Sequence, residues 1–402
     1  MGQRGLQSNQ RSGILICGSY GLGNTGDEAI LKAILREARA AAGGEELTVL
    51  SRNPAETTAR HGVAALHMFD LPGILRVMGR VRLYINGGGS LIQDATSRRS
   101  LLYYLFTLRA ARWRGCKVLM YGCGIGPVTR PGDVTLVRRV LNGCVDAITL
   151  REDASLAELA RFGVDKPEIV LAADPVLSLQ PAPEEETDAL MTQLGLDPRG
   201  AYLGVCLRTW KGFEDKVPVI AGAVRCAWEK YGLAPVFLSI NHISDGDAAD
   251  QVRAHLEGVP SCVLRQPLSS ELMLGLTSRM HAVISMRLHG LIFAAGQGVP
   301  LVGITYDPKV SGFLSYMGQE LYEDLDGLTA SACGKCWTRP WPCGPAGRSS
   351  TPRWPGCAGW SRTIPTCCAA CWPGRAVRRW PHEAAALSGP RPLAGPARPH
   401  PA

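Results

Sequence analysis

No stretch of this 402-residue sequence stays apolar over the ~18 residues that a membrane-spanning helix needs, so the chain is read as soluble. Residues 1–12 are polar, and the apolar run behind them, Ile14 to Cys17, is too short for the core of a secretory signal. A cytoplasmic protein is therefore expected. Paired cysteines are also missing. Seven of the fourteen cysteines lie singly before residue 331, which fits reduced, buried thiols and excludes a disulfide framework. An excess of one charge is absent from the main body as well. The formal net charge is +8, but residues 331–402 hold ten Lys/Arg against one acid, Glu383. That leaves 33 basic and 34 acidic residues over 1–330, a balance that calls for no nucleic-acid partner.

What is present is a repeated alternation of short apolar runs, glycine-rich turns and helical patterns. Ile14 to Cys17 reads as a buried strand, and Ile30, Leu31, Ile34, Leu35 and Ala38 follow at helical spacing. Between them Gly21, Gly23 and Gly26 spell the glycine pattern of a dinucleotide loop. Asp27 and Glu28 argue against that ligand, because carboxylates at the helix start repel a pyrophosphate. The next strand, Leu47 to Leu50, ends in Ser51-Arg52 instead of the acid that would hold a ribose. Such a loop suits sugar hydroxyls better, and capping of the helix by Asp27 is an alternative that can operate together with it. Further strands are expected at Leu83 to Ile85, Lys117 to Met120, Ala147 to Leu150 and Ile169 to Leu171. The first two of these run into the glycine-rich segments Asn86–Gly89 and Tyr121–Pro127. Strand, glycine turn and helix in repetition predict a parallel sheet with helices on both faces.

Residues 178–200 read as a linker with a short helix, after which the pattern restarts. Strands are expected at Tyr202 to Leu207, Val236 to Ile240, Cys262 to Leu264, His281 to Ser285 and Leu301 to Thr305. Arg208, His242, Arg287, His289 and Lys309 all fall at strand C-termini, where open α/β sheets bind ligands. Arg287 and His289 stand two residues apart where a strand hands over to a helix. Alone, they would be read as a surface ion pair and a satisfied histidine. In the company of Arg208 and Lys309 they read as an anion grip beside a proton carrier. The expected division is 13–177 for a first Rossmann-like domain, 178–200 for the linker and 201–330 for a second, doubly wound domain facing it across a cleft.

Taken in order, Gly21 to Glu28, Asn86-Gly87-Gly88-Gly89 with Ser97-Arg98-Arg99-Ser100, Gly122 to Pro127, Leu207-Arg208-Thr209-Trp210, Arg287-Leu288-His289 and Tyr306-Asp307-Pro308-Lys309 resemble the polysaccharide pyruvyl transferase family, specifically its bacterial cell-surface-anchoring (CsaB) branch. The resemblance spans roughly residues 13–328. It implies a GT-B-like fold and transfer of pyruvate from phosphoenolpyruvate onto two hydroxyls of a sugar as a cyclic ketal, with release of phosphate. It implies phosphoenolpyruvate as co-substrate with no separate cofactor or metal. The implied acceptor is a lipid-linked or polymeric saccharide, an N-acetylmannosamine unit of a cell-wall precursor, with peripheral contact to the inner membrane surface. The pyruvylated polymer would then anchor surface-layer proteins. The residue types agree with that chemistry. Arg208 and Arg287 suit the carboxylate and phosphate of phosphoenolpyruvate, with Lys309 assisting. His289 can protonate the enol methylene and take a proton from the attacking hydroxyl. Asn24, Asp27, Asp94 and Arg98 would hold the acceptor sugar. Two alternatives remain from other classes: a GT-B glycosyltransferase using a nucleotide sugar, and an inactive sugar-binding product of a frameshifted gene.

From about Ser331 the composition changes. Residues 331–402 hold six of nine Trp and thirteen of 28 Pro, yet no Phe or Tyr, and no helix or strand period survives. Cys333 and Cys336 have the spacing of a zinc half-site, but no second pair with matching flanks accompanies them, so metal binding is not expected. A disordered segment, or out-of-frame translation of GC-rich coding DNA, is expected here. Translating the other two frames over this region should restore a helix-and-strand pattern continuing from Leu328. If neither frame does so, the frameshift reading fails.

Overall fold

The computed structural model describes residues 11–95 and 97–329. The reading of residues 331–402 lies outside the described residues. The first half alternates strands β1 (Ile14–Cys17), β2 (Leu47–Ser51), β3 (Ala64–His67), β4 (Leu83–Asn86), β5 (Gly89–Ile92), β6 (Lys117–Ile125), β7 (Ala147–Leu150) and β8 (Glu168–Leu171) with helices α1 (Thr25–Ala42), α2 (Pro54–His61), α3 (Leu71–Met78), α4 (Arg98–Trp113), α5 (Pro131–Cys144) and α6 (Ala154–Phe162). All strand pairs are parallel, in the order β3-β2-β1-β4-β6-β7-β8, with β5 beside the end of β6.

After a 3-10 turn at Pro175–Ser178 come α7 (Glu184–Gln193), β9 (Tyr202–Cys206), α8 (Phe213–Tyr231), β10 (Ala234–Phe237), α9 (Asp245–Arg253), β11 (Cys262–Val263), α10 (Ser270–Ser278), β12 (Ala282–Ser285), α11 (Leu288–Gly296), β13 (Leu301–Thr305), α12 (Pro308–Tyr316) and β14 (Tyr322–Asp324). Their sheet is also parallel, ordered β11-β10-β9-β12-β13-β14. Two parallel sheets, each with its own run of helices, form a two-unit α/β fold, as the alternating pattern predicts. The near-continuous burial of β1, β2, β9 and β13 is what a sheet covered on both faces requires.

Two of the glycine-rich segments differ from expectation. Read as loops, they are largely strand. β6 runs through Gly122-Cys123-Gly124 to Ile125, and β5 forms within Asn86–Ile92. Register shifts in β6 against β5 and β7 accommodate the extra length, and glycine tolerates such irregularities at low steric cost. The segment read as a linker contains α7, which docks on the second sheet's α10. Ala182 N–H donates to the Glu271 carbonyl, and Arg279 pairs with Asp188.

The two sheets share one apolar cluster. Ile30, Ile34 and Leu35 of α1, Val176 of the 3-10 turn, Met273 and Leu274 of α10 and Leu291 and Ile292 of α11 belong to it. Lys32 of α1 also pairs with Glu271 of α10. The chain is stitched above this core as well. Thr25 N–H donates to the Ile240 carbonyl at 2.8 Å, and His242 N–H to the Gly23 carbonyl at 3.3 Å. These bonds hold the loop after β1 against the loop after β10.

Close packing at the head of α11 depends on Gly290. A Cβ there would lie 2.5 Å from Ser285 Oγ and 2.8 Å from Cys206 Sγ, both on buried strand ends. Gly290→Ala should cost about 1–3 kcal/mol, the usual penalty for overpacking a filled core. A thermal or urea midpoint within error of the parent would show that this approach has slack.

Candidate functional site

In each sheet the strand order reverses direction at one point, and ligands of open α/β sheets bind there, beyond the strand C-termini. In the first sheet that point lies between β1 and β4; in the second it lies between β9 and β12. Cys206 pairs in register with Ser285, so Arg208 and Arg287 stand two residues past the paired ends of β9 and β12 and flank the second switch point. The loop after β1 leads into α1, and the loop after β12 leads into α11. The starts of these two helices meet. A Cβ on Gly26 would lie 2.2 Å from the His289 ring, so only glycine lets the imidazole approach α1 this closely.

Around this meeting point the structure gathers a cation cluster. His289 is buried, and its Nε2 has no hydrogen-bond partner among the described residues. Its pKa is lowered to about 3, first by burial and then by the charges of Arg151, Lys309 and Arg287. Its place in the first turn of α11 adds the positive end of the helix dipole. The imidazole is therefore neutral at physiological pH. Asp27 faces the same three cations but moves the other way. Burial, and then the adjacent Glu28 carboxylate, push its pKa up to about 7 against the opposing pull of Arg151, Lys309 and Arg287. Two titratable groups in one site are thus set about four units apart by their surroundings.

The cations differ in how far they are neutralised. Arg287 is tied to the buried Asp245 through Nε at 3.0 Å and through Nη2, and to Ser244 Oγ. Lys309 Nζ lies 3.1 Å from Asp307 Oδ2. Arg151 is fully buried between Glu152, at 2.8 Å, and Asp174, at 3.1 Å, and its Nη2 reaches Ser90. Arg208 has no carboxylate partner among the described residues. Its guanidinium lies 4.9 Å from the Trp210 ring and 5.3 Å from the Tyr306 ring. Nη1 donates to Tyr306 Oη at 3.0 Å, and Nε is buried without a partner. An arginine pre-set by two aromatic rings, with an unused buried N–H, is built to receive an anion.

The first-sheet residues expected to hold a sugar separate into two groups. Asn24 and Asp27 lie at the meeting point. Asn24 caps α1, its Oδ1 accepting from Gly26 N–H at 2.9 Å and Asp27 N–H at 3.4 Å. Asp94 and Arg98 are engaged elsewhere. Asp94 accepts from Thr129 N–H and Oγ–H and from Arg130 N–H, and Arg98 forms a bidentate pair with the buried Asp133. Glu28 accepts from Gly21 N–H at 2.8 Å and lies 3.0 Å from His61 Nε2. Its carboxylate occupies the glycine loop where a dinucleotide phosphate would sit, which agrees with the argument against that ligand. Burial raises its pKa, but the His61 and Gly21 hydrogen bonds prevail and lower it.

Sequence reasoning assigned no role to Arg151, Asp245, Trp210 or Tyr306. Arg151 was visible as the residue ending a strand. The aromatic pair lay inside segments noted for Arg208 and Lys309. Asp245 carried no signal beyond its place after a strand. Asn86, at the end of β4 on the first switch point, is also buried with neither side-chain polar atom partnered.

The model of the family described as polysaccharide pyruvyl transferase matches residues 24–308. No curated protein sequence matches the chain significantly. Among solved structures the chain is similar to UDP-GlcNAc 2-epimerase from Methanocaldococcus jannaschii, with a TM-score of 0.58 at 11% identity over 81% of this chain and 91% of that one. It is similar to the Neisseria meningitidis UDP-GlcNAc 2-epimerase bound to UDP-GlcNAc, with a TM-score of 0.55 at 11% identity over 81% and 90%. The Anabaena protein HepE in complex with UDP-glucose gives 0.53 at 12% identity over 89% and 94%. At such identities these likenesses establish the two-sheet GT-B-like architecture alone. The family match covers the second switch point, Asn24, Asp27, His289 and all but the last residue of the cation cluster, and the chain belongs to the polysaccharide pyruvyl transferase family.

Proposed function

We propose that the chain transfers pyruvate from phosphoenolpyruvate to two hydroxyls of a saccharide, forming a cyclic ketal and releasing phosphate. The observation that carries this reading is the site's pair of buried, unpartnered nitrogens, Arg208 Nε and His289 Nε2, within a family of pyruvyl transferases. Arg208 takes one anionic group of phosphoenolpyruvate. Lys309 and the edge of Arg287 not tied to Asp245 take the other. Burial and then the positive field keep His289 neutral; the anion offsets the field, so binding phosphoenolpyruvate raises the affinity of the imidazole for a proton. The imidazolium then gives that proton to the enol methylene, which becomes the methyl group, and C2 becomes electrophilic.

Asp27, with a pKa near neutrality, accepts the proton of the attacking hydroxyl. The first C–O bond forms at C2, a second hydroxyl of the same sugar displaces phosphate, and its proton leaves with the phosphate. Two hydroxyl protons thus balance the C–H formed and the phosphate released. Asn24 and Asp27 orient the acceptor, with Asp94 and Arg98 at a more distant position along it. The acceptor proposed is an N-acetylmannosamine unit of a lipid-linked cell-wall precursor, as in the cell-surface-anchoring branch, whose products hold surface-layer proteins. A nucleotide-sugar transferase is the second reading, favoured by the UDP-sugar ligands of the Neisseria and Anabaena proteins. Incubation with phosphoenolpyruvate or with UDP-sugars separates the two by release of phosphate or of UDP.

His289→Ala should lower phosphate release by about 10²–10⁴-fold, the range of a lost proton carrier, while phosphoenolpyruvate still binds. Near-parent turnover would remove His289 from the mechanism. Asp27→Asn tests the division of labour through pH. With the parent, kcat/KM, which reports the free enzyme, should rise as pH passes upward through about 7, where Asp27 becomes the basic carboxylate. The variant should lose that rise and be slower at every pH. A rise near pH 7 that survives Asp27→Asn would assign it to another group.

A further inference from the structure

The near balance of charge over residues 1–330 hides a strong segregation. From Leu71 to Gly132 the sequence carries ten Lys/Arg and a single acid, Asp94. The carboxylate of Asp94 is already engaged by Thr129 and Arg130. Helix α4 has no acidic residue at all. Its exposed face presents Arg99, Phe106, Arg109 and Trp113 at spacings of seven, three and four, which align them on one stripe of a 3.6-residue helix. Phe106 is 44% and Trp113 73% solvent-accessible. Neither Arg99 nor Arg109 forms an ion pair with a described residue.

The stripe continues onto the loop after β3. Phe69, 54% accessible, packs edge-on against Tyr103 of α4 at 5.5 Å, and Arg52 lies over its other side at 5.3 Å. Tyr103 Oη–H also donates to the Met68 carbonyl, fixing this loop to the helix. The acids nearest in sequence are already committed, Asp133 first among them in its pair with Arg98. Asp70 caps α3, Glu56 pairs with Arg60, and Asp146 pairs with Arg112 and Lys117.

We infer that this face is a docking surface for a bilayer with anionic headgroups. Aromatic rings that seat at the headgroup–acyl boundary, interleaved with arginines and free of uncommitted carboxylates, match the chemistry of an interfacial helix. The orientation is also productive. Arg52, Phe69 and the start of α4 lie beyond the C-terminal ends of β2, β3 and β5, the sheet edge on which Asn24 and Asp27 stand. A membrane against this face would border the mouth of the site, where a lipid-linked substrate would arrive. The surface stands on its own observations. Binding is read without substrate, so failure of the pyruvyl-transfer reading leaves it intact.

The full chain should co-sediment with vesicles of phosphatidylcholine and phosphatidylglycerol in equal parts, and only weakly with phosphatidylcholine alone. Arg99→Gln with Arg109→Gln should weaken that binding about 25-fold, at about fivefold per cation near the surface. Phe106→Ser with Trp113→Ser should also weaken it at unchanged salt. All four positions are exposed, so thermal midpoints near the parent's establish that both variants fold. Binding that persists in both variants, equal binding to neutral vesicles, or no binding to anionic vesicles (whatever else the chain binds) overturns the proposal.

Discussion

Two helix N-termini facing each other across a cleft are electrostatically unfavourable unless something negative lies between them. Here the starts of α1 and α11 are held together by the shared apolar core beneath and by the Thr25–Ile240 and His242–Gly23 backbone bonds above. Gly26 lets the His289 ring close onto α1. Arg151, Arg287 and Lys309 add their charge to the same region. The chain answers with carboxylates placed behind the cations: Asp245 behind Arg287, Asp307 behind Lys309, Glu152 and Asp174 around Arg151. Those partners hold the cations in place, and Asp27 faces the same three.

The titrations follow from this arrangement. A neutral imidazole is the form of His289 that burial and then a positive field favour, and an anion bound there would offset the field. Asp27 feels the same field, which favours its carboxylate, yet burial and Glu28 dominate and keep its proton near neutrality. The two groups also oppose each other in folding. The depressed pKa of His289 makes the unfolded state take up more protons between about 3 and the ordinary imidazole value, so its contribution to stability is lost as pH falls through that window. The raised pKa of Asp27 makes the folded state hold the extra proton between the ordinary carboxylate value and about 7, so its contribution is lost as pH rises through that window.

Much of this was legible in the sequence because strand C-termini are legible. Short apolar runs ending in Arg208, Arg287 or Lys309 announce a sheet edge, and the hand-over from β12 to α11 located His289 to the residue. What was not legible depends on partners distant in the chain. Asp94 and Arg98 stand in a glycine-rich, ligand-like context, but Thr129, Arg130 and Asp133, some 35 positions away, claim them. Asp245 lies 42 positions before the arginine it fixes. The strand character of the Gly122 and Gly89 segments was hidden because glycine carries no hydrophobic pattern. The neighbouring backbone ladder, not a side-chain period, decides their conformation.

The charge distribution gives the cleft a direction. On one side of its mouth the second sheet places Arg287 and Lys309, each backed by an acid, beside Arg208, which is seated against Trp210 and Tyr306 with no carboxylate partner among the described residues. On the other side α4 carries Arg99 and Arg109, which are exposed, pair with no described acid and are interleaved with the exposed rings of Phe106 and Trp113. Backed cations cost less to desolvate and suit a buried ligand, whereas unbacked surface arginines keep their long-range field and suit an extended anionic partner. A small anionic donor entering at the second sheet and a surface-bound acceptor presented at the first would meet where Gly26 touches His289, and neither would have to pass the other.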